Sequence, residues 1–147
     1  MYFDVELKEK KIDWKKFEND VADIFENFSY KVDRDVRFKT SRNFQIDLIA
    51  YDDKRCFFVD CKDHGYIPPS EEETFILRQK VRAENYVKTR PDLAYKKKII
   101  LLVTRNKTSS LMDHMETIGK VLGVDINGLQ DLLTNIERYE DELYLFD

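Results

Sequence analysis

The sequence predicts an α/β fold in which helices pack on one mixed sheet, and three patterns predict it. Apolar residues recur at helical spacing from Trp14 to Phe28. Three short runs between 30 and 62 then read as strands, the last two joined by the charged turn Asp52-Asp53-Lys54. A long amphipathic stretch leads finally into Ile-Ile-Leu-Leu-Val-Thr at 99–104, which has no polar face. The resulting order is α, β, β, β, α, β, α, and one sheet flanked by helices is the layer arrangement that buries these faces.

Each element has its own justification. In the first helix Trp14, Phe17, Val21, Ile24, Phe25 and Phe28 form one stripe, and Asp13 is the expected N-cap. Residues 30–39 (YKVDRDVRFK) alternate apolar and charged side chains, as a half-buried strand does. Residues 44–51 (FQIDLIAY) make a second strand and residues 55–62 (RCFFVDCK) a third, more buried one. The segment His64-Gly65-Tyr66-Ile67-Pro68-Pro69-Ser70 is a loop. A helix follows from Ser70 or Glu71 to Thr89; Glu71, Glu72 and Glu73 suit the positive end of its dipole, and Arg90-Pro91 closes it. The 99–104 strand, apolar on both faces, should be central and parallel to a neighbour. Another amphipathic helix is expected over 109–122, then a short strand, Asp125 as a cap, and a last helix.

Composition narrows the class. A chain of 147 residues with 42% hydrophobic and 13% aromatic side chains carries a core of its own, and four Gly and three Pro exclude a fibrous or low-complexity chain. One domain is expected over 1–147, with a core at about 13–105 and a C-terminal completion and acidic tail at 106–147. No stretch approaches 18 apolar residues, so no membrane partner is expected, and the N-terminus lacks the apolar region of a secretory signal. Cys56 and Cys61 lie in one apolar run without further Cys or His at metal-site spacing, which reads as reduced core cysteines in a cytoplasmic protein.

The chemistry concentrates on two strands. Alternation puts Gln45, Asp47 and Ile49 on one face of the second strand and Phe58, Asp60 and Lys62 on one face of the third. If the turn at 52–54 makes them a hairpin, two carboxylates and an ammonium meet at the end of apolar strands. Such groups are costly to bury unless they pair or bind metal. Hard oxygen ligands suit Mg²⁺ (or Mn²⁺), a Lewis acid for a phosphoryl oxygen, and a lysine beside it can orient water. Glu18 lies about 20° from Phe25 around the first helix, on the edge of its apolar stripe, so it points toward the sheet. Gln79 falls between Phe75, Ala83 and Tyr86 on the core side of the long helix. A solvated face with a cross-strand ion pair is the bland alternative for Asp47, Asp60 and Lys62. His64 reads as a surface residue, His114 on a C-terminal helix carries no assignment, and Lys96-Lys97-Lys98 reads as a solvated lead into a strand.

Glu18, Asp47, twelve residues, Asp60-Cys61-Lys62 and then Gln79 resemble the PD-(D/E)xK nuclease superfamily. The string FENDVADIF…FSYKV…FQIDLIAYDDKRCFFVDCK is similar to Mrr-type restriction endonucleases and, more loosely, to archaeal Holliday junction resolvases; the resemblance covers about residues 14–105. It implies a restriction-endonuclease-like αβββαβ core and a metal-dependent nuclease acting on DNA. It also implies that Asp47, Asp60 and the backbone carbonyl of Cys61 ligate Mg²⁺ or Mn²⁺. Lys62 would position the nucleophilic water, Glu18 supply a supporting or second-metal carboxylate, and Gln79 support the site; a homodimer is implied on the same ground. The last acidic position is Asp rather than the commoner Glu. Residues 40–45 replace a Gly-rich segment, and the basic N-terminus of the junction resolvases is missing, so junction specificity is not carried over.

The charge balance fits a DNA partner once it is read locally. The chain carries 25 basic and 29 acidic residues, net −4, which alone speaks against nucleic acid. Residues 1–110, however, hold 23 basic and 20 acidic side chains, and residues 111–147 hold 2 and 9. Arg37, Lys39 and Arg42 lead into the Asp47 strand, and Arg78 and Arg82 sit one turn apart on the long helix, where they could contact one phosphate backbone; a solvated helix face is the alternative. From other classes come an inactive nucleic-acid-binding or assembly module with the same fold, and a subunit whose acidic tail docks a basic protein.

Overall fold

The computed structural model describes residues 2–62, 69–105 and 121–139. Asp63, His64, His114 and the helix expected over 109–122, apart from its last two residues, lie outside these segments. The described chain is α/β: helix α1 (Tyr2–Asn27), strands β1 (Lys31–Lys39), β2 (Asn43–Tyr51) and β3 (Arg55–Lys62), helix α2 (Pro69–Thr89), a 3-10 turn (Pro91–Tyr95), strands β4 (Lys97–Thr104) and β5 (Val121–Asp125), and helices α3 (Ile126–Thr134) and α4 (Ile136–Tyr139). The five strands form one mixed sheet in the order β1-β2-β3-β4-β5. The pairs β1–β2 and β2–β3 are antiparallel, while β3–β4 and β4–β5 are parallel.

Helix α1 begins well before Asp13, which is therefore an internal helical residue and not the N-cap. Its other end closes as a Schellman motif: Tyr30 N–H donates to the Phe25 carbonyl at 3.1 Å and Ser29 N–H to the Glu26 carbonyl at 2.9 Å. Ser29 takes the left-handed conformation (φ 69°) that glycine usually fills there. The Tyr30 ring packs edge-on against Phe25 at 5.9 Å, the apolar contact that accompanies this cap. Val121 and Leu122 are strand residues, which corrects the end of the helix expected over 109–122. Asp125 caps α3 as expected, its side chain accepting from Gly128 N–H.

The sheet separates two cores. Under α1 and α3 lie Phe17, Val21, Phe25, Leu48, Phe57, Val59, Leu101 and Leu129; under α2 lie Ile46, Ile49, Phe58, Ile76, Tyr86, Ile100 and Leu102. Strands β3 and β4 contribute to both, which is why they read as continuous apolar runs and take the parallel central position. Lys98 departs from its expected place in solvent. It is buried, and its Nζ donates to the carbonyls of Leu93 and Lys96, both at 3.1 Å, closing the 3-10 turn.

Strict alternation fails at one point of the β1–β2 hairpin. Val32 packs on the α1 side but Val36 and Phe38 on the α2 side, although all three positions are even. On the partner strand Leu48 and Ala50 face α1 whereas Ile46 faces α2. Between these stretches Asp35 adopts a positive φ of 49°, and the register would set it opposite Asp47. Both strands thus turn over together at the Asp35–Asp47 level. Ile49 consequently joins the α2-side core with Ile46, and the expected common face of Gln45, Asp47 and Ile49 is corrected: Asp47 is the pivot.

Candidate active site

Asp47 and Asp60 come together where two ladders part. Antiparallel pairing of β2 with β3 runs from Tyr51–Cys56 to Leu48–Val59 and stops. One step further the register would set Asp47 against Asp60. Instead the Cys61 N–H donates to Asp47 Oδ2 at 2.9 Å, so a carboxylate replaces a strand partner. Cys61 itself stays registered with Val103 on β4. An open pocket of about 280 Å³ is lined here by Trp14, Gln45, Asp47, Asp60, Cys61, Lys62 and Arg82. It draws on α1, β2, β3 and α2, and it lies at the end of β3.

Asp60 is buried and is the electrostatic centre. Lys62 Nζ lies 3.3 Å from its Oδ2, and Arg82 Nη1 lies 3.9 Å from its Oδ1. Lys62 also sits 4.7 Å over the Phe75 ring, so α2 holds the ammonium from behind. Asp47 carries the opposite strain. Burial, then the hydrogen bond and negative charge shared with Asp60, push its carboxyl up to about 8 against the Cys61 N–H, which favours its anion. Burial likewise raises Glu18, with Asp35 and Asp60 adding to the effect and Lys15 and Arg34 opposing it. The sulfur of Cys61 is not the reactive atom: burial holds both thiols protonated, with Cys56 pushed up to about 12.

Glu18 and Gln79 are inward, as their helical positions require. Glu18 is buried and its Oε2 has no hydrogen-bond partner among the described residues; Gln79 is buried and both polar atoms of its amide lack one among them. Neither lines the pocket, but Glu18 is close enough to raise Asp47 electrostatically. Of the basic residues assigned to DNA, only Arg82 reaches the site. Arg37 is exposed and paired with Asp35 at 3.4 Å, Lys39 and Arg78 are exposed, and Arg42 lies 4.8 Å over the Phe44 ring.

The donor set fits a hard divalent cation. Among the described residues no three His, Cys, Asp or Glu side chains form a ready-made cage. What is present is a carboxylate pair in which buried Asp60 holds both cations and half-buried Asp47 has none among the described ion pairs, a Glu18 oxygen without a hydrogen-bond partner among the described residues, and strand backbone at Cys61. Mg²⁺ and Mn²⁺ are commonly held this way, by one or two carboxylates with other positions left to water and substrate.

Sequence reasoning missed two members of the pocket. Trp14 was assigned to the apolar stripe of α1, yet it is 37% exposed and lines the pocket. Arg82, read from the sequence as a phosphate contact beside Arg78, also meets Asp60 inside the pocket. Its position three residues after Gln79, on the edge of the α2 stripe, was the available sign.

Comparison with known proteins agrees with this architecture. A family model described as the nuclease-related domain (NERD) matches residues 13–119. The small subunit of the heterodimeric restriction endonuclease R.BspD6I superposes with a TM-score of 0.52 at 14% identity, over 90% of this chain and 72% of that one. The protein of unknown function AF1548 gives a TM-score of 0.53 at 13% identity, over 74% of this chain. This chain spans 57% of AF1548 in that alignment. Comparison with curated protein sequences returns no match. The shared fold is the restriction-endonuclease-like one, as the αβββαβ order anticipates. No helix among the described residues is long and apolar enough to cross a membrane.

Proposed function

The chain belongs to the nuclease-related domain family, and from that premise we propose that it is a metal-dependent, Mrr-like endonuclease hydrolysing phosphodiester bonds in DNA. The observation that carries the reading is the Asp47–Asp60 pair at a parted ladder, with Lys62 held against it. Asp47, Asp60 and the Cys61 carbonyl would hold Mg²⁺ or Mn²⁺, which when bound polarises a phosphoryl oxygen and acidifies its water. Lys62 orients the attacking water and balances charge on the phosphorus oxygens. Asp60 keeps the ammonium in place, and the Cys61 N–H fixes the rotamer of Asp47. Glu18 supports the pair from α1, and Gln79 braces the site from α2. Arg82 is placed to receive the scissile phosphate, with Arg37, Lys39, Arg42 and Arg78 contacting its flanks. The R.BspD6I neighbour is one subunit of a heterodimer; pairing of two copies of this chain is part of the proposal.

The test is cleavage of plasmid and single-stranded DNA with Mg²⁺ or Mn²⁺. Activity should appear with metal, vanish in chelator, and vanish in Asp60→Ala. Equal cleavage by wild type and Asp60→Ala would overturn the reading.

A further inference from the structure

We propose that Trp14 is a base-stacking wall of the Asp47–Asp60 pocket, and that the substrate it selects is single-stranded DNA. The proposal rests on the nuclease reading of the same pocket and adds its substrate class. Helix α1 buries its core aromatics, with Phe17 2% and Phe25 0% exposed, but leaves the Trp14 indole 37% exposed. That indole lines the pocket together with Asp47, Asp60, Lys62 and Arg82. It sits one helical turn before Glu18, which is buried and close enough to raise Asp47 electrostatically, so the helix that supports the acids also presents the ring.

The shape and chemistry favour one strand. About 280 Å³ lies at or just below the small end of ligand pockets (roughly 300–1,000 Å³), room for a phosphate with its neighbouring sugar or base. Lys62 and Arg82 supply cationic groups for that phosphate, and a base attached to it meets Trp14. In an intact duplex the bases stack on one another and show the grooves only their edges, so none offers a π-face to the indole. A single strand offers every base in turn, and stacking on an aromatic ring is tolerant of sequence.

Trp14 is the chain's single tryptophan, so its emission reports on this pocket alone. In chelator, full-length protein is titrated with oligo-dT and with a duplex of equal length, following indole emission and, separately, anisotropy of labelled DNA. Oligo-dT should quench the indole and bind more tightly than duplex. Trp14→Leu, which keeps an apolar helical side chain, should weaken oligo-dT binding by roughly 5- to 100-fold, the range of one base–aromatic stack, while Trp14→Phe keeps most of it. Duplex affinity should change less than about twofold, because no stack is lost. Oligo-dT binding with unchanged indole emission, or with full affinity in Trp14→Leu, overturns the stacking proposal and leaves the nuclease reading standing. Duplex binding as tightly as oligo-dT overturns the single-strand proposal alone, and failure of both DNAs to bind overturns both readings.

Discussion

Lys62→Ala should lower the rate of the chemical step by about 100- to 1,000-fold, the usual cost of removing one group that stabilises transition-state charge. The ammonium is 3.3 Å from Asp60, steadied over Phe75, and only partly exposed, so no solvent cation replaces it. Its charge matters most as negative charge builds on the phosphorus oxygens, so kcat should fall more than KM rises. Folding should survive, because Asp60 retains Arg82 at 3.9 Å. Single-turnover cleavage with excess enzyme separates this from a binding defect. Lys62→Arg should recover part of the lost rate, being cationic but broader and more rigid. A Lys62→Ala rate within about tenfold of wild type would remove Lys62 from the chemistry.

The second large effect is on stability. The Asp47 carboxyl is pushed from an ordinary 3.8 up to about 8 in the folded chain. Below pH about 4 both folded and unfolded chains hold this proton. As pH rises from about 4 to about 8 the unfolded chain releases it first, so stability is lost over that window, and the loss is complete above about 8. Each tenfold difference in proton affinity is worth about 1.4 kcal/mol, so the rise from 3.8 to about 8 sets an upper bound of about 6 kcal/mol on the loss. Asp47→Asn keeps the shape without the charge. Its Tm in chelator should match wild type near pH 4 and exceed it by several degrees at pH 8, while cleavage is abolished. Mn²⁺ at pH 8 should raise the Tm of wild type and not of Asp47→Asn, since only the carboxylate gains a cation. Parallel Tm–pH curves for the two proteins would contradict this account of Asp47.

How much of this was legible in the sequence depends on the kind of force involved. Strand β3 was readable to its end residues because its apolar run is bounded by a turn and a charged exit. Glu18 and Gln79 were readable as inward because helical geometry alone fixes their angle to the apolar stripe. The turnover at Asp47 was not, because it originates in a positive φ at Asp35, a residue that takes this conformation only sometimes and gives no periodic sign of it. Lys98 was misread for a related reason: its partners are backbone carbonyls of a 3-10 turn, which no side-chain pattern announces. Trp14 was misread because a helical stripe fixes a direction, not whether anything covers its edge.

The most direct test of the central claim, that Asp47 and Asp60 form the metal-binding heart of a nuclease, is a crystal structure with Mn²⁺ located by its anomalous signal. The account predicts an ion within about 2.0–2.5 Å of carboxylate oxygens of both Asp47 and Asp60, with the Cys61 carbonyl among its ligands. Saturating Mn²⁺ that leaves these two carboxylates without an ion, with Lys62 and Arg82 still against Asp60, would contradict it.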